Sequence, residues 1–327
     1  MPVLSPTARV FVAGGTGMAG SAIVSALLTR RPHGTIRASR RNAPPAIQDP
    51  RVEAVAVDLA EQAALTAALE GCDAAVLAAS ESGGIRMLTE TPWQQVTPNL
   101  RIATAWFEAL KAAGVGRTVC VGSATCYQPF DGLIREDQLD WNLDPSPEAF
   151  GIGWVMRSQE KLCEFWQRVA GLDLVRVRAA NIYGPRARFD PARSNVIPAL
   201  VRKVADAPDR LDVWGSPEVT RDVVFAGDFG EAVVRLLEAP DASGRVFNVG
   251  SGRGVRIGDV VATLLRVAGR PDLPVAWGAS GPRSSPSRIL DVSRLAQQLQ
   301  WTPATSLEDG LRATLAWWQA HRATWQR

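Results

Sequence analysis

Arg9-Val10-Phe11-Val12-Ala13-Gly14-Gly15-Thr16-Gly17-Met18-Ala19-Gly20-Ser21 decides the fold. An apolar strand-like run enters three glycines spaced three residues apart, and an alanine-rich helical pattern follows. The first glycine permits a tight turn, and the second lets backbone N–H groups approach a pyrophosphate. The third lets the helix pack on the strand with its N-terminus facing the anion. In this strand–turn–helix context the stretch predicts dinucleotide binding through Gly14, Gly17 and Gly20; a purely structural glycine-rich turn is the alternative.

Outward from this turn the same rhythm continues. Short Val/Ala/Leu runs alternate with longer amphipathic stretches, as in a parallel sheet covered by helices on both faces. Strands are expected near Arg9–Ala13, Ile36–Ser39, Val52–Val57, Ala74–Ala79, Thr118–Val121 and Leu174–Val177, and helices over Met18–Arg30, Ala60–Leu69, Pro98–Ala113 and Gly153–Ala170. After Ala180 the pattern breaks at Gly184-Pro185, Pro191, Pro198 and Pro217. A helix at Gly227–Glu238 and a strand at Val246–Val249 are expected to return to the sheet. The fold class is therefore α/β, a Rossmann-type doubly wound parallel sheet with a smaller, C-terminally weighted substrate-binding lid. Residues 1–180, with about 226–252, are assigned to the dinucleotide-binding domain, and 181–225 with 253–327 to the substrate-binding domain.

Composition bounds the function. The 327 residues are 46% apolar and 21% charged, enough for a large core, and the net charge of +3 suits anionic small molecules. No Lys/Arg cluster is long enough to suggest nucleic acid. The basic groups are overwhelmingly arginine, with lysine only at Lys111, Lys161 and Lys203. Cys72, Cys120, Cys126 and Cys163 have no Cys-x-x-Cys spacing, so neither zinc nor a disulfide framework is indicated and no metal is expected. With no leader-like N-terminus and no apolar run of about 18 residues, the expectation is a cytoplasmic protein with no membrane contact. Of the 11 tryptophans, Trp317, Trp318 and Trp325 are read as packing or subunit contacts.

The second strand chooses the cofactor. A carboxylate at its end would accept the ribose hydroxyls of NAD, whereas this chain reads Arg37-Ala38-Ser39-Arg40-Arg41-Asn42. Arg40 and Arg41 suit the 2′-phosphate of NADP. NADP(H) is expected over NAD, against the alternative of a solvated basic turn. Asp58-Leu59, ending the third strand, is placed to contact adenine.

Further segments extend the pattern: Leu77-Ala78-Ala79-Ser80-Glu81-Ser82-Gly83-Gly84-Ile85, Asn181-Ile182-Tyr183-Gly184-Pro185 and Asn195-Val196-Ile197-Pro198-Ala199-Leu200. Val213-Trp214-Gly215-Ser216, Thr220-Arg221-Asp222, Phe247-Asn248-Val249-Gly250-Ser251-Gly252 and Asp291-Val292-Ser293-Arg294-Leu295 follow. With these the chain resembles, across nearly its whole length, the extended short-chain dehydrogenase/reductases, in particular the GDP-fucose synthase branch that acts on nucleotide sugars with NADPH. The resemblance adds Thr16, Met18, Ala78 and Asn99 to the cofactor side. It implies a sugar-nucleotide half formed by Asn181, Val196, Lys203, Trp214, Arg221 and Arg288, in which arginines fork onto diphosphate oxygens and an aromatic covers the base. It also implies a homodimer through the helices at Pro98–Ala113 and Gly153–Ala170.

The catalytic centre departs from that family. Its members use a Ser/Thr with a Tyr-x-x-x-Lys pair, the lysine lowering the tyrosine pKa. This chain has only Tyr127 and Tyr183, followed four residues later by Asp131 and Ala187. The best register puts Ile152 and Met156 in place of the pair; another gives Phe150 and Trp154. The family's cysteine corresponds to Thr125, with Cys126 one residue along, and its histidine to Asn195. Ser123, Thr125 and Glu81 remain as candidate catalytic residues, with Glu81 a base if burial against Ile152 and Met156 raises its pKa. Cys126 reads as a small buried thiol, Tyr127 as packing. Three readings stay open. The first is a nucleotide-sugar epimerase/reductase with substitute groups. The second is a catalytically silent NADP/nucleotide-sugar-binding protein or partner subunit. The third is a secondary-metabolism enzyme with a non-sugar substrate.

Overall fold

The computed structural model describes residues 3–278 and 287–325. Its elements run β1 (Arg9–Ala13), α1 (Met18–Arg30), β2 (Thr35–Arg40), β3 (Val52–Ala56), α2 (Gln62–Leu69) and β4 (Ala74–Leu77). Next come α3 (Ile85–Glu90), α4 (Trp93–Ala113), β5 (Thr118–Ser123), β6 (Gly132–Ile134), α5 (Phe150–Ala170), β7 (Leu174–Ala179) and β8 (Asn181–Tyr183). The second half holds α6 (Val196–Asp206), β9 (Leu211–Trp214), β10 (Thr220–Phe225), α7 (Ala226–Glu238), β11 (Val246–Val249) and β12 (Gly254–Arg256). It ends with α8 (Ile257–Val267), β13 (Val275–Gly278), β14 (Arg288–Leu290), α9 (Ser293–Leu299) and α10 (Leu307–Trp325).

Seven parallel strands form one sheet in the order β11-β7-β5-β4-β1-β2-β3. Alternation along β1 sends Val10 and Val12 into one apolar layer with Ile23, Leu27, Phe229 and Val233 of α1 and α7. Phe11 and Ala13 go into the opposite layer with Leu65, Trp106, Phe107 and Cys163. The strand order reverses direction between β1 and β4, and that switch point opens a crevice at the carboxyl edge. A third core gathers Tyr183, Phe189, Leu200, Val213, Val260, Leu264 and Trp318 beside this edge. A fourth lies under β5 and α5, joining Ala124, Tyr127, Ile152, Met156 and Leu290.

The sequence places the start of α4 at Pro98, but the helix begins at Trp93 and carries Pro98 inside it. Pro98 is the sixth residue of the helix, where it cannot donate to the carbonyl four residues back, yet the turn before it stays helical. The aromatic packing expected of α10 holds for Trp318, which is 2% exposed and stacks on Phe189 at 4.8 Å between ring centroids. The side chain of Trp325 lies outside the described residues. No helix among the described residues is long and apolar enough to cross a membrane.

Candidate functional site

The glycine turn closes as its sequence requires. Gly14 takes the left-handed region at φ +83°, and Gly17 N–H donates back to its carbonyl at 3.0 Å. A Cβ on Gly20 would sit 2.0 Å from the Gly14 oxygen, so only glycine lets α1 pack this close. The first turn of α1 holds no acidic residue and no side-chain cap, which leaves its N–H groups for an anion. Gly14 N–H donates to Ser39 Oγ at 2.8 Å, tying the turn to β2. Gly15, Thr16, Ala38, Arg40, Pro45 and Ala46 line a small cavity beside it.

Each cofactor-side candidate has a defined place. Arg40 lines the cavity, while exposed Arg41 pairs with Glu81 at 2.9 Å. Arg37 is committed elsewhere, to Glu53 and to the Ala68 and Glu70 carbonyls. Ala78 N–H bonds the Ala13 carbonyl at 3.1 Å, bringing β4 against the turn, and Met18 opens α1. Asp58 is exposed and its carboxylate accepts from Ala60 N–H at 3.0 Å; Leu59 is half-buried. Asn99 is 5% exposed and its amide is spent on the chain itself. It accepts from Glu81 N–H and Ser80 Oγ and donates to the Glu81 and Gln95 carbonyls. It therefore shapes the loop after β4.

At the end of β5, Ser123 Oγ accepts from Thr125 N–H at 3.2 Å. Thr125 Oγ1 is buried with no hydrogen-bond partner among the described residues. A buried hydroxyl without a partner costs about 1–3 kcal/mol and is expected where a ligand supplies the bond. A Cβ on Gly153 would lie 2.6 Å from the Thr125 carbonyl, so α5 runs directly against this turn. Ile152 and Met156 from α5 are 8% and 5% exposed and belong to the apolar core beneath. On this face of α5 the two positions carry hydrocarbon and sulfur, with no titratable group. Arg157, the next residue, fixes the turn by donating to the Cys126 carbonyl at 2.7 Å and the Leu143 carbonyl at 2.6 Å.

Cys126 is fully buried, and burial pushes its thiol up to about 12, which makes it an inert packing residue. Tyr127 is structural too. Its hydroxyl donates to Asn248 Oδ1 at 2.7 Å and accepts from Arg178 Nη1 at 2.9 Å, and burial raises its pKa far above the physiological range. Arg178 is in turn forked onto Glu160 at 2.7 and 2.8 Å.

Glu81 is held by arginines. Its carboxylate takes Arg41 at 2.9 Å, Arg188 at 3.5 Å and Arg193 at 3.9 Å. Two of the three partners lie more than 100 residues away in the chain and the third 40, and local sequence carries no sign of them.

The sugar-side candidates fall into two groups, one with Arg221 and Arg288 and one around Trp214. Asp222 accepts from Ser251 N–H at 2.8 Å and from Leu290 N–H at 3.1 Å, linking β10 to β14. Arg221 and Arg288, on those two strands, are brought together by this link. Burial, and then Arg288, pushes Arg221 below its ordinary pKa, and burial does the same to Arg288. Among the described residues no side chain hydrogen bonds the Arg288 guanidinium, which stands 5.9 Å from the Tyr127 ring centre. Two crowded, dehydrated guanidinium groups, both also in the field of the Glu148 carboxylate, are chemically able to hold an anion. Trp214 is 53% exposed, with Lys203 Nζ 4.6 Å and Arg86 5.7 Å from its ring centre. Asn181 donates to the Asp222 carbonyl at 2.9 Å, and Val196 begins α6. Asp222 and Arg86 escaped sequence reasoning as site residues. The Thr-Arg-Asp triplet held the signal for Asp222, because alternation turns it away from Arg221 toward the brace.

These features define the class. The sequence profile described as the NAD dependent epimerase/dehydratase family matches residues 10–250, and the chain belongs to that family. Within it the likeness is to nucleotide-sugar epimerases and reductases of the GDP-fucose synthase kind. GDP-L-fucose synthase of Sinorhizobium fredii is 30% identical over 311 residues, covering 93% of each chain. Two solved structures share the fold. UDP-glucuronic acid 4-epimerase from Bacillus cereus, in complex with UDP-glucuronic acid and NAD, has a TM-score of 0.81 at 23% identity, covering 95% of this chain and 99% of that one. The Campylobacter jejuni GDP-D-glycero-L-gluco-heptose synthase, in the presence of NADPH, has a TM-score of 0.80 at 18% identity, covering 97% and 99%.

Proposed function

We propose that the protein is an NADP-binding enzyme that modifies a nucleoside-diphosphate sugar, of epimerase/reductase type, with a catalytic centre that works without Tyr and Lys. The observation that carries this reading is the buried Arg221/Arg288 pair, joined by the Asp222 brace. Such a pair suits a diphosphate, and exposed Trp214 with Lys203 and Arg86 offers a surface on which a base could stack. Similarity to GDP-L-fucose synthase supports the substrate class.

The dinucleotide side fits NADP. The turn offers N–H groups to a pyrophosphate, and β2 ends in arginines with no carboxylate. NADPH when bound supplies a hydride. The chain's own part is to hold a substrate carbonyl against the hydroxyls of Ser123 and Thr125. Thr125 Oγ1 donates a hydrogen bond to the carbonyl oxygen and passes its proton there as charge develops, and it regains a proton from water that enters as product leaves. An unactivated hydroxyl is a weaker acid than the family's tyrosine, so turnover is expected about 10²–10⁴-fold below an ordinary member. Glu81, caged by arginines, is left out of the proton transfer. Exposed Trp93, Leu100, Phe150, Phe165 and Val169 on α4 and α5 support a homodimer through those helices.

The apolar fill at Ile152 and Met156 favours a second reading, a silent binding protein that keeps both ligand sites. Calorimetric titration with GDP, UDP and dTDP tests the shared part. One of the three is expected to bind, and Arg221→Ala or Arg288→Ala is expected to weaken it roughly 30-fold or more. Equal affinity in wild type and both variants would remove the diphosphate assignment.

A further inference from the structure

Residues 184–195 form a strap from the third core back over the carboxyl edge of the main sheet. Its middle is anchored by Phe189, which is fully buried and stacked on Trp318 and Trp317 at 4.8 and 5.7 Å. Residues on both sides of Phe189 reach back to the loops beside the glycine turn. Arg186 donates to the carbonyl of Ala46, a wall residue of the cavity beside the glycine turn. Arg188 donates to the Ser82 carbonyl at 3.1 Å, and Gly84 N–H donates to the Arg193 carbonyl at 2.9 Å.

Glu81 sits where the strap meets the loop after β2. Asn99 fixes its backbone from both sides, and its side chain is only 17% exposed. The carboxylate is close to Arg41 at 2.9 Å but far from the strap's Arg188 and Arg193, at 3.5 and 3.9 Å. Three guanidinium groups against one carboxylate leave a surplus of two positive charges, which a phosphate monoester dianion would balance. Arg41 is the member that a ligand reaches, with 68% of its side chain exposed.

We propose that Glu81 is a specificity-determining latch: a ribose 2′-phosphate takes Arg41 from it, and the released carboxylate then closes onto Arg188 and Arg193, drawing the strap down over the cofactor. This rests on the reading of Arg41 as a 2′-phosphate ligand. Strap closure then depends on the phosphate that separates NADP from NAD, and an ion-pair exchange performs the discrimination. A short charge-assisted bond is worth more than a long one, so the carboxylate closes on the strap only when Arg41 is otherwise occupied.

Hydrogen–deuterium exchange of peptides spanning 184–195, with 2′,5′-ADP and 5′-AMP as probes, tests this on the full chain. In wild type, 2′,5′-ADP slows exchange at Arg193 and Ser194 about threefold to tenfold, and 5′-AMP leaves it unchanged. Glu81→Gln exchanges faster than wild type without ligand and does not slow on adding 2′,5′-ADP, although it still binds it. Arg188→Gln loses the slowing as well, with Arg41 intact. Unchanged exchange in ligand-free Glu81→Gln, or equal slowing by 5′-AMP, overturns the latch. If 2′,5′-ADP binds neither protein, the NADP reading fails and the phosphate trigger falls with it; the hold of Glu81 on the strap is then decided by the ligand-free comparison alone.

Discussion

Tyr127→Phe separates structure from catalysis at the one tyrosine beside the catalytic turn. The variant keeps the ring, so no cavity opens around a residue that is fully buried. It removes a bond donated to Asn248 Oδ1 at 2.7 Å and one accepted from Arg178 Nη1 at 2.9 Å. Arg178 Nη1 still reaches the Glu136 carbonyl at 2.9 Å, and its charge remains forked on Glu160. Asn248 Oδ1 is left without its donor. A neutral bond of about 1 kcal/mol and a charged one of about 1.5–3 kcal/mol, less the surviving contact, give a loss of about 2–3 kcal/mol. For 327 residues the unfolding entropy is about 0.7 kcal/mol per degree, so Tm falls by about 3–4 °C. Differential scanning calorimetry measures that shift, and NADPH titration by tryptophan fluorescence is expected to show unchanged affinity. If the phenol were the acid, Tm would hold and NADPH-dependent turnover would drop about 10²–10⁴-fold. That pattern refutes the structural assignment.

Three further outcomes are expected. Ile152→Tyr with Met156→Lys restores an acid beside Ser123 and raises NADPH-dependent turnover by up to about 10²–10⁴-fold; an unchanged rate shows that the hydroxyls already deliver the proton. Arg40→Ala weakens NADPH far more than NADH in parallel titrations, and an equal loss of both removes Arg40 from 2′-phosphate recognition. With its pKa near 12, Cys126 exposes a thiolate fraction of about 10⁻⁴ at pH 8, rising only as pH approaches 12. Native protein at pH 8 should therefore leave Cys126 unalkylated by iodoacetamide until denaturant is added.

Much of the fold was legible because local signals set it. The glycine turn, the apolar strands and the ends of α1 and β11 match the sequence reading. Pro98 misled because the helix continues through it for a further turn upstream, which its local preference does not show. The apolar character of α5 beside the catalytic turn was also legible, since Ile152 and Met156 carry no titratable group. What sequence could not carry was the partner of each charge. Glu81 reads as a loop acid near an apolar patch, and its arginines arrive from β2 and from the strap. Asn99 reads as a ligand contact, but the amide is consumed by the backbone around Glu81. Asp222 reads as part of a substrate triplet, yet it braces the strand that carries Arg288.

The central claim is turnover by hydroxyl groups where the family uses Tyr and Lys. Mass spectrometry of 4-keto-6-deoxy nucleotide sugars incubated in D₂O with the protein, with and without NADPH, tests it most directly. The account predicts a product heavier by two hydrogens, formed only with NADPH and free of carbon-bound deuterium. Unchanged masses at protein concentrations shown to bind NADPH would contradict it and leave the silent binding protein. Deuterium gained at carbon without NADPH would contradict it differently, by revealing a base at this site.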